Sequence, residues 1–304
     1  MTISNDVTVI VNSSAGAGAA SDWTQELERK FRAAGLEAEV KVIEHGADIE
    51  ATVRKAVEQG VQVVVAGGGD GTVSAVAAGL VDTQVTLGVL PMGTLNHFAK
   101  DLAIPLEQDA AIAVIAAGRQ INVDVGEVNG RIFINNSGLG LYPNIVQDRE
   151  QRQRRLGHGK WRALLAASIT AARRYPVLKV HVDVSDDTLV RRTPFVFIGN
   201  NQYTMEGFEI GARPALDRGQ LSLYLTQRMS RFGLLQLALR ALFRRLDQAR
   251  DFDVLALQQF TVRTRHRELR VATDGEVTKM RTPLHYRVRP GALRVIVPAE
   301  SQPA

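Results

Sequence analysis

Hydrophobic and polar positions follow two different grammars along this chain. Up to residue 117, short and nearly all-apolar runs alternate with stretches whose apolar residues recur at helical spacing. The runs at 7–11, 63–66 and 86–90 read as strands, and each leads into a loop that contains glycine. Residues 37–43 read as a further strand. Helical spacing predicts helices over 21–34, 49–59 and 109–117, the last closed by Gly118. Val73, Val76, Ala77 and Leu80 stand at i, i+3, i+4 and i+7, so another helix follows directly on the glycine loop at 67–72. A shorter helical piece ends at Leu102. Strands this apolar, alternating with helices, predict a parallel sheet covered on both faces. In such sheets ligands bind at the loops leaving the carboxyl ends of the strands, where all three glycine loops fall.

After about residue 125 the pattern turns to strands and tight turns. Asn129-Gly130 between Glu127-Val128 and Arg131-Ile132-Phe133-Ile134 is a hairpin signal. Further strands are predicted at 178–184, 193–199, 220–225, 259–264, 268–272 and 284–289, with one more at 293–297. The expected architecture is an α/β N-terminal domain over residues 1–125, followed by a β-rich, sandwich-like domain over 126–304. The last residues could pack with either. Two helical stretches interrupt the second domain, and both are basic. Residues 149–174 carry Arg149, Arg152, Arg154, Arg155, Lys160, Arg162, Arg173 and Arg174; residues 229–250 set Arg231, Arg240, Arg244, Arg245 and Arg250 among leucines. Such helices either lie on an anionic membrane or bury an apolar stripe beneath a solvated arginine face.

Composition narrows the function classes. The 304 residues are 45% hydrophobic and 23% charged, as in globular proteins generally. The absence of cysteine excludes disulfides and thiolate zinc sites and suits a cytoplasmic setting, and the six histidines show no metal-ligand spacing. The first residues carry no signal-peptide pattern, and no uncharged apolar run reaches the ~18 residues that span a bilayer. A net charge of +5 favours anionic partners: nucleotides, nucleic acid or acidic lipid surfaces. Aromatic residues are few and no nucleic-acid module is evident, so no nucleic-acid partner is expected.

The chemistry concentrates in the loops. Gly67-Gly68-Gly69-Asp70-Gly71-Thr72, between a strand and a helix, forms a phosphate cradle: glycines admit an anion close to backbone N–H groups at the positive end of a helix. Asp70 stands where a metal-bound phosphate would be held or a proton moved. Gly16-Ala17-Gly18 in the first loop falls short of a dinucleotide fingerprint by one glycine, and neither Walker A nor protein-kinase motifs occur. Asp274-Gly275-Glu276 follows the strand at 268–272. It reads either as a plain Asp-Gly turn or as carboxylates serving as base to an acceptor hydroxyl.

Taken together, these motifs resemble the diacylglycerol kinase catalytic-domain family, which includes the soluble bacterial lipid kinases. The resemblance runs through Gly68-Gly69-Asp70-Gly71-Thr72, then Leu90-Pro91-Met92-Gly93-Thr94-Leu95-Asn96 and Asn129-Gly130-Arg131-Ile132-Phe133-Ile134-Asn135. It continues through Gly138-Leu139-Gly140, Phe197-Ile198-Gly199-Asn200 and Asp274-Gly275-Glu276. It implies transfer of the γ-phosphoryl group of ATP to a lipid hydroxyl, with Mg²⁺, in a nucleotide cleft between an α/β domain and a β-sandwich. It implies nucleotide contacts from Asn12, from Gly67, Gly68, Gly69, Asp70, Gly71 and Thr72, and from Gly93, Thr94 and Asn96. Asp70 would organise magnesium, while Asp274 and Glu276 would be the candidate bases. A sphingoid-base or NAD kinase, or a nucleotide-binding regulatory protein, are the alternatives on the same scaffold. Peripheral contact with an anionic membrane surface would bring the lipid substrate within reach. The chain departs from the family pattern at Ser74-Ala75, where Asn-Glu is usual, at His97, where Asp follows Asn, and at Ser13, where Pro follows Asn. Arg218 replaces an Asp that holds a structural magnesium in some members. An arginine cannot ligate the ion, which leaves Asp217 as its only neighbouring substitute.

Overall fold

The computed structural model describes residues 6–13, 21–140, 178–184, 187–206, 209–210, 212–226 and 252–299. The chain divides into two compact units. One comprises Met1–Val125, Pro214–Arg218 and Arg289–Ala304; the other comprises Gly126–Arg213 and Gly219–Val288.

The first unit follows the alternation read in the sequence. Strands β1 (Asp6–Asn12), β2 (Glu37–Ile43), β3 (Val63–Gly68) and β4 (Thr86–Pro91) alternate with helices α1 (Ser21–Ala33), α2 (Ile49–Glu58), α3 (Asp70–Leu80), α4 (His97–Asp101) and α5 (Gln108–Ala117). The strands lie in the order β2-β1-β3-β4, all parallel, and β3 and β4 are buried along their whole length. That burial explains their unbroken apolar runs: a strand covered on both faces has no polar side to show. Val53 and Ala56 of α2, Val76, Ala77 and Leu80 of α3, and Ile112 and Ile115 of α5 are buried in this unit. Val11 pairs with Gly67, and Gly67 pairs with Leu90, so the carboxyl ends of β1, β3 and β4 finish level with one another. Strand β5 (Gln120–Val128) leads out of this unit.

The second unit is antiparallel. Its strands are β6 (Arg131–Phe133), β7 (Asn136–Gly140), β8 (Leu178–Val184), β9 (Asp187–Thr193), β10 (Phe195–Asn200), β11 (Met205–Glu206), β12 (Glu209–Ile210), β13 (Leu221–Thr226), β14 (Phe252–Leu257), β15 (Gln259–Arg263), β16 (Glu268–Thr273), β17 (Glu276–Arg281) and the start of β18 (Leu284–Ile296). From Arg289 on, β18 belongs to the first unit, where Val295 pairs in parallel with Leu87 of β4. One sheet runs β14-β13-β10-β7-β16-β17; β15 joins β18 to β8, and β8 pairs with β9. Their inner faces share a core of Phe133, Leu139, Val182, Val196, Leu223, Phe260, Val271 and Tyr286. Phe260 stacks on Tyr286 with ring centres 5.0 Å apart, and the Tyr286 hydroxyl meets Ser137 Oγ at 3.1 Å. Burial pushes the Tyr286 phenol well above its ordinary range, so it stays neutral there.

The Asn129-Gly130 hairpin forms as read: Val128 pairs with Arg131 across a two-residue turn whose φ values are 47° and 84°. Elsewhere the strands differ from the expectation. The run at 193–199 divides at Pro194, which has no N–H for a ladder, into the end of β9 and the start of β10. The runs at 284–289 and 293–297 are one strand, β18, through Pro290-Gly291. Gly291 sits at φ 57° there and donates its N–H to Asp124 Oδ1 at 2.9 Å. The sequence pattern predicts no strand at β7, β11, β12, β14 or β17, and none at β9 before residue 193. β7 is central in its sheet although its sequence, Asn-Ser-Gly-Leu-Gly, is poor in strand formers; its neighbours impose the conformation. The two basic stretches, and with them Arg240, Arg244 and Arg245, lie outside the described residues, as does the loop at 14–20.

Candidate functional site

The glycine loop begins where β3 ends. Gly69 caps α3 with extended backbone, and its carbonyl accepts the Val73 N–H at 3.1 Å. The loop after β4 lies directly beside it. Met92 N–H donates to Gly68 O at 2.9 Å, and a Cβ on Gly93 would stand 2.4 Å from Gly69 Cα. The two backbones touch with no room for a side chain between them. A Cβ on Gly68 would stand 2.5 Å from Thr72 Oγ1. Packing therefore accounts for Gly68 and Gly93. It does not account for Gly71, whose Cβ would meet nothing within 4 Å and whose φ is not positive. The residue opens an exposed face of the helix start at a position where glycine costs helix stability.

Asp70 is the first residue of α3. Its Oδ1 accepts the Phe98 N–H at 3.3 Å, and among the described residues this long bond leaves most of its acceptor capacity open. Asn96 has a structural task. Held in the left-handed region at φ 49°, it takes the Gly93 N–H on Oδ1 at 3.0 Å and donates Nδ2 to Gly93 O at 2.9 Å. Both polar ends of its side chain thus lock the second loop. Thr94 is exposed on the same loop. Asn12 ends β1, at the level of the glycine loop.

The Asp-Gly-Glu triplet lies in the second unit. Thr273 pairs with Glu276 across a two-residue turn in which Asp274 and Gly275 both have positive φ, 48° and 91°. It is a hairpin turn, as the plainer reading held, and it does more. The Asp274 carboxylate accepts three consecutive backbone N–H groups: Ile134 at 2.7 Å, Asn135 at 2.8 Å and Asn136 at 3.0 Å. Asp274 N–H donates in return to Asn136 O at 2.9 Å. Glu276 is exposed and pairs with Arg131 at 2.6 Å, and Arg131 Nε also donates to Thr273 Oγ1 at 2.8 Å. Arg131 was legible only as part of a quoted motif, not as the partner of Glu276.

Magnesium fits this donor set in one way. Mg²⁺ is ordinarily held by one or two carboxylates together with phosphate oxygens rather than by a protein cage. No group of three or more acidic or histidine side chains clusters among the described residues. Asp70, beside the glycine loop, suits an ion that arrives with a nucleotide. Asp217 is exposed next to Arg218, and its neighbour Leu216 accepts the Asp124 N–H at 2.7 Å. Among the described residues Asp217 belongs to no group of three or more such side chains.

Comparison with known proteins agrees with this arrangement. Residues 6–128 match the diacylglycerol kinase catalytic domain, and residues 144–297 match the YegS C-terminal NAD kinase β-sandwich-like domain. The chain is 28% identical over 274 residues to an uncharacterized protein of Synechocystis, covering 87% of this chain and 62% of that one. It is 33% identical over 143 residues to the diacylglycerol kinase of Bacillus subtilis, covering 46% of this chain and 47% of that one. The matches thus span between about half and two thirds of the length of these relatives. The fold is that of a diacylglycerol kinase crystal structure from Bacillus anthracis, with a TM-score of 0.70 at 20% identity over 97% of each chain. With a catalytic-domain match over the first unit and a YegS-type β-sandwich after it, this chain belongs to the diacylglycerol kinase catalytic-domain family.

Proposed function

We propose that the chain is an ATP-dependent lipid kinase that transfers the γ-phosphoryl group of Mg-ATP to a hydroxyl of a lipid such as diacylglycerol. The observation that carries this reading is Gly71. Neither packing nor backbone conformation requires glycine there, so its bare backbone serves what approaches the loop. The N–H groups of the loop and the first turn of α3 hold the nucleotide phosphates. Asp70 holds the magnesium, which neutralises charge on the transferring group when bound. Asp274 receives the proton of the acceptor hydroxyl as the new oxygen–phosphorus bond forms and the bond to ADP breaks. The three N–H groups fix the orientation of its carboxylate, and orientation is the ground on which we choose it over the exposed Glu276. The acceptor resides in a membrane, so the enzyme works at a membrane surface. Among the described residues no helix is long and apolar enough to cross one.

The test is phosphoryl transfer from labelled ATP to detergent-dispersed diacylglycerol, monoacylglycerol, phosphatidylglycerol, sphingosine and ceramide, run beside NAD. Labelled phospholipid from one of the lipids is the expected product. Transfer to NAD alone, or to none of them, overturns the proposal. In parallel, Gly71→Val should abolish ATP binding by calorimetry while the protein keeps its melting temperature; unchanged affinity removes the loop from the site.

A further inference from the structure

The peptide groups from Ile134 to Asn136 are gripped from two sides. On the N–H side lies the Asp274 carboxylate. On the carbonyl side lies Arg213, only 2% exposed. Its Nη1 donates to Ile134 O at 2.6 Å and to Asn200 O at 3.2 Å, and its Nη2 donates to Asn135 Oδ1 at 2.8 Å. Its guanidinium stands 5.4 Å from the centre of the Tyr203 ring, and the Tyr203 hydroxyl donates to Asn135 O at 3.0 Å. Asn200 completes the grip, giving Nδ2 to Ile134 O at 2.9 Å and its N–H to Asn135 O at 2.9 Å.

We infer that Arg213 is a positioning residue for phosphoryl transfer: by fixing the 134–136 backbone it fixes the donors that hold the Asp274 carboxylate. The inference rests on Asp274 being the base proposed above. Its physical basis is the cost of the arrangement. A guanidinium taken out of water must be repaid by well-made hydrogen bonds, and these three all go to oxygens of residues 134, 135 and 200. The planar fork is the one side chain that reaches two carbonyls and an amide oxygen from a single rigid group; a lysine ammonium cannot reproduce the spread. The Ile134 carbonyl that Arg213 polarises shares a peptide group with the Asn135 N–H, so the hydrogen bond from that N–H to Asp274 is strengthened as well. Displacement of a reacting group by ~1 Å costs about 10²-fold in rate, so the effect of a loosened segment is measurable.

The experiment compares Arg213→Lys, Asp274→Asn and the double variant in the full chain with Mg-ATP and a dispersed lipid acceptor. Arg213→Lys is expected to lower kcat by about 10- to 10²-fold with KM for ATP and calorimetric ATP affinity unchanged. In the Asp274→Asn background the same change should lower kcat no further, because its effect passes through that carboxylate. Tyr203→Phe removes the hydroxyl that donates to Asn135 O on the same side of the segment and should reduce kcat several-fold with KM unchanged, which keeps the inference open to test if Arg213→Lys does not fold. Equal additive losses in both backgrounds, a parallel loss of ATP affinity, or undiminished kcat in the folded variants would overturn it. Should Asp274→Asn by itself leave turnover intact, the base assignment fails and the inference falls with it; failure of Arg213→Lys alone leaves that assignment standing.

Discussion

The chain uses Asp beside Gly twice after an apolar strand, and the two places could hardly differ more. At Asp70 the backbone is that of an ordinary helix start, and the carboxylate has one long bond, 3.3 Å from the Phe98 nitrogen. At Asp274 the backbone is left-handed and the carboxylate takes three N–H groups at 2.7 to 3.0 Å. In the first place the glycines expose backbone and leave the carboxylate open to a ligand. In the second the glycine merely completes a turn, and the turn serves to aim the carboxylate. The lesson is that a short motif does not fix which part of it acts; the hydrogen bonds on the side chain decide that.

The sharpest way to break this comparison is Asp274→Asn. General acid–base assistance is typically worth ~10²–10⁴-fold, so turnover should fall by about that factor while ATP binding persists. The amide also turns an NH₂ toward a peptide N–H that now faces an oxygen. Leaving that buried donor unmet costs about 1–3 kcal/mol, and the melting temperature should drop accordingly. The same substitution at Asp70 should leave the melting temperature almost unmoved and weaken the magnesium dependence of ATP binding. Equal thermal effects at both positions would show that the carboxylates are not held as differently as the geometry says.

A second test bears on the glycines themselves. Gly93→Ala would place a Cβ 2.4 Å from Gly69 Cα, and backbone cannot move aside as a flexible side chain does. Overpacking of this kind costs about 1–3 kcal/mol, and here it pries apart the two loops. Gly71→Ala meets nothing within 4 Å and should leave stability unchanged or raise it, by at most about 1 kcal/mol. Urea unfolding of the two variants side by side reads the difference. If both lose stability alike, Gly71 is there for the fold and its link to the nucleotide is lost.

Much of this was legible in the sequence because local rules and tertiary structure agree there. Buried parallel strands must be apolar throughout, so β3 and β4 announced themselves; Asn129-Gly130 could only be a tight turn. The unexpected strands lie where tertiary context overrides the local signal. β7 is glycine-rich, and β9 alternates weakly at the edge of its sheet. The site was legible as far as its motifs run, which covers the glycine loop and the Asp-Gly-Glu triplet. Arg213 was not legible. It is a single arginine before a proline, with no periodicity or motif around it, and its meaning comes only from the residues that surround it after folding. Nor does the motif around Asn96 reveal that both ends of its amide hold the Gly93 backbone.

The smallest expected effect concerns Glu276. It is 61% exposed, and its partner Arg131 is 36% exposed. Ion pairs in such settings are usually worth ~0–1 kcal/mol, because water solvates the charges nearly as well as they solvate each other. Glu276→Gln should therefore shift the unfolding midpoint by little. The activity of the variant carries more information than its stability. If Asp274 alone is the base, Glu276→Gln keeps turnover within a few-fold, and the residual loss reflects a freer Arg131, which also donates to Thr273 beside the turn. If the proton goes to Glu276, the same variant loses ~10²–10⁴-fold and Asp274→Asn loses far less, and the three N–H groups on Asp274 serve only to build the turn. Measuring kcat for the two variants against one lipid acceptor separates these outcomes. A loss at Glu276 well above the loss at Asp274 would reassign the base and leave the glycine loop untouched.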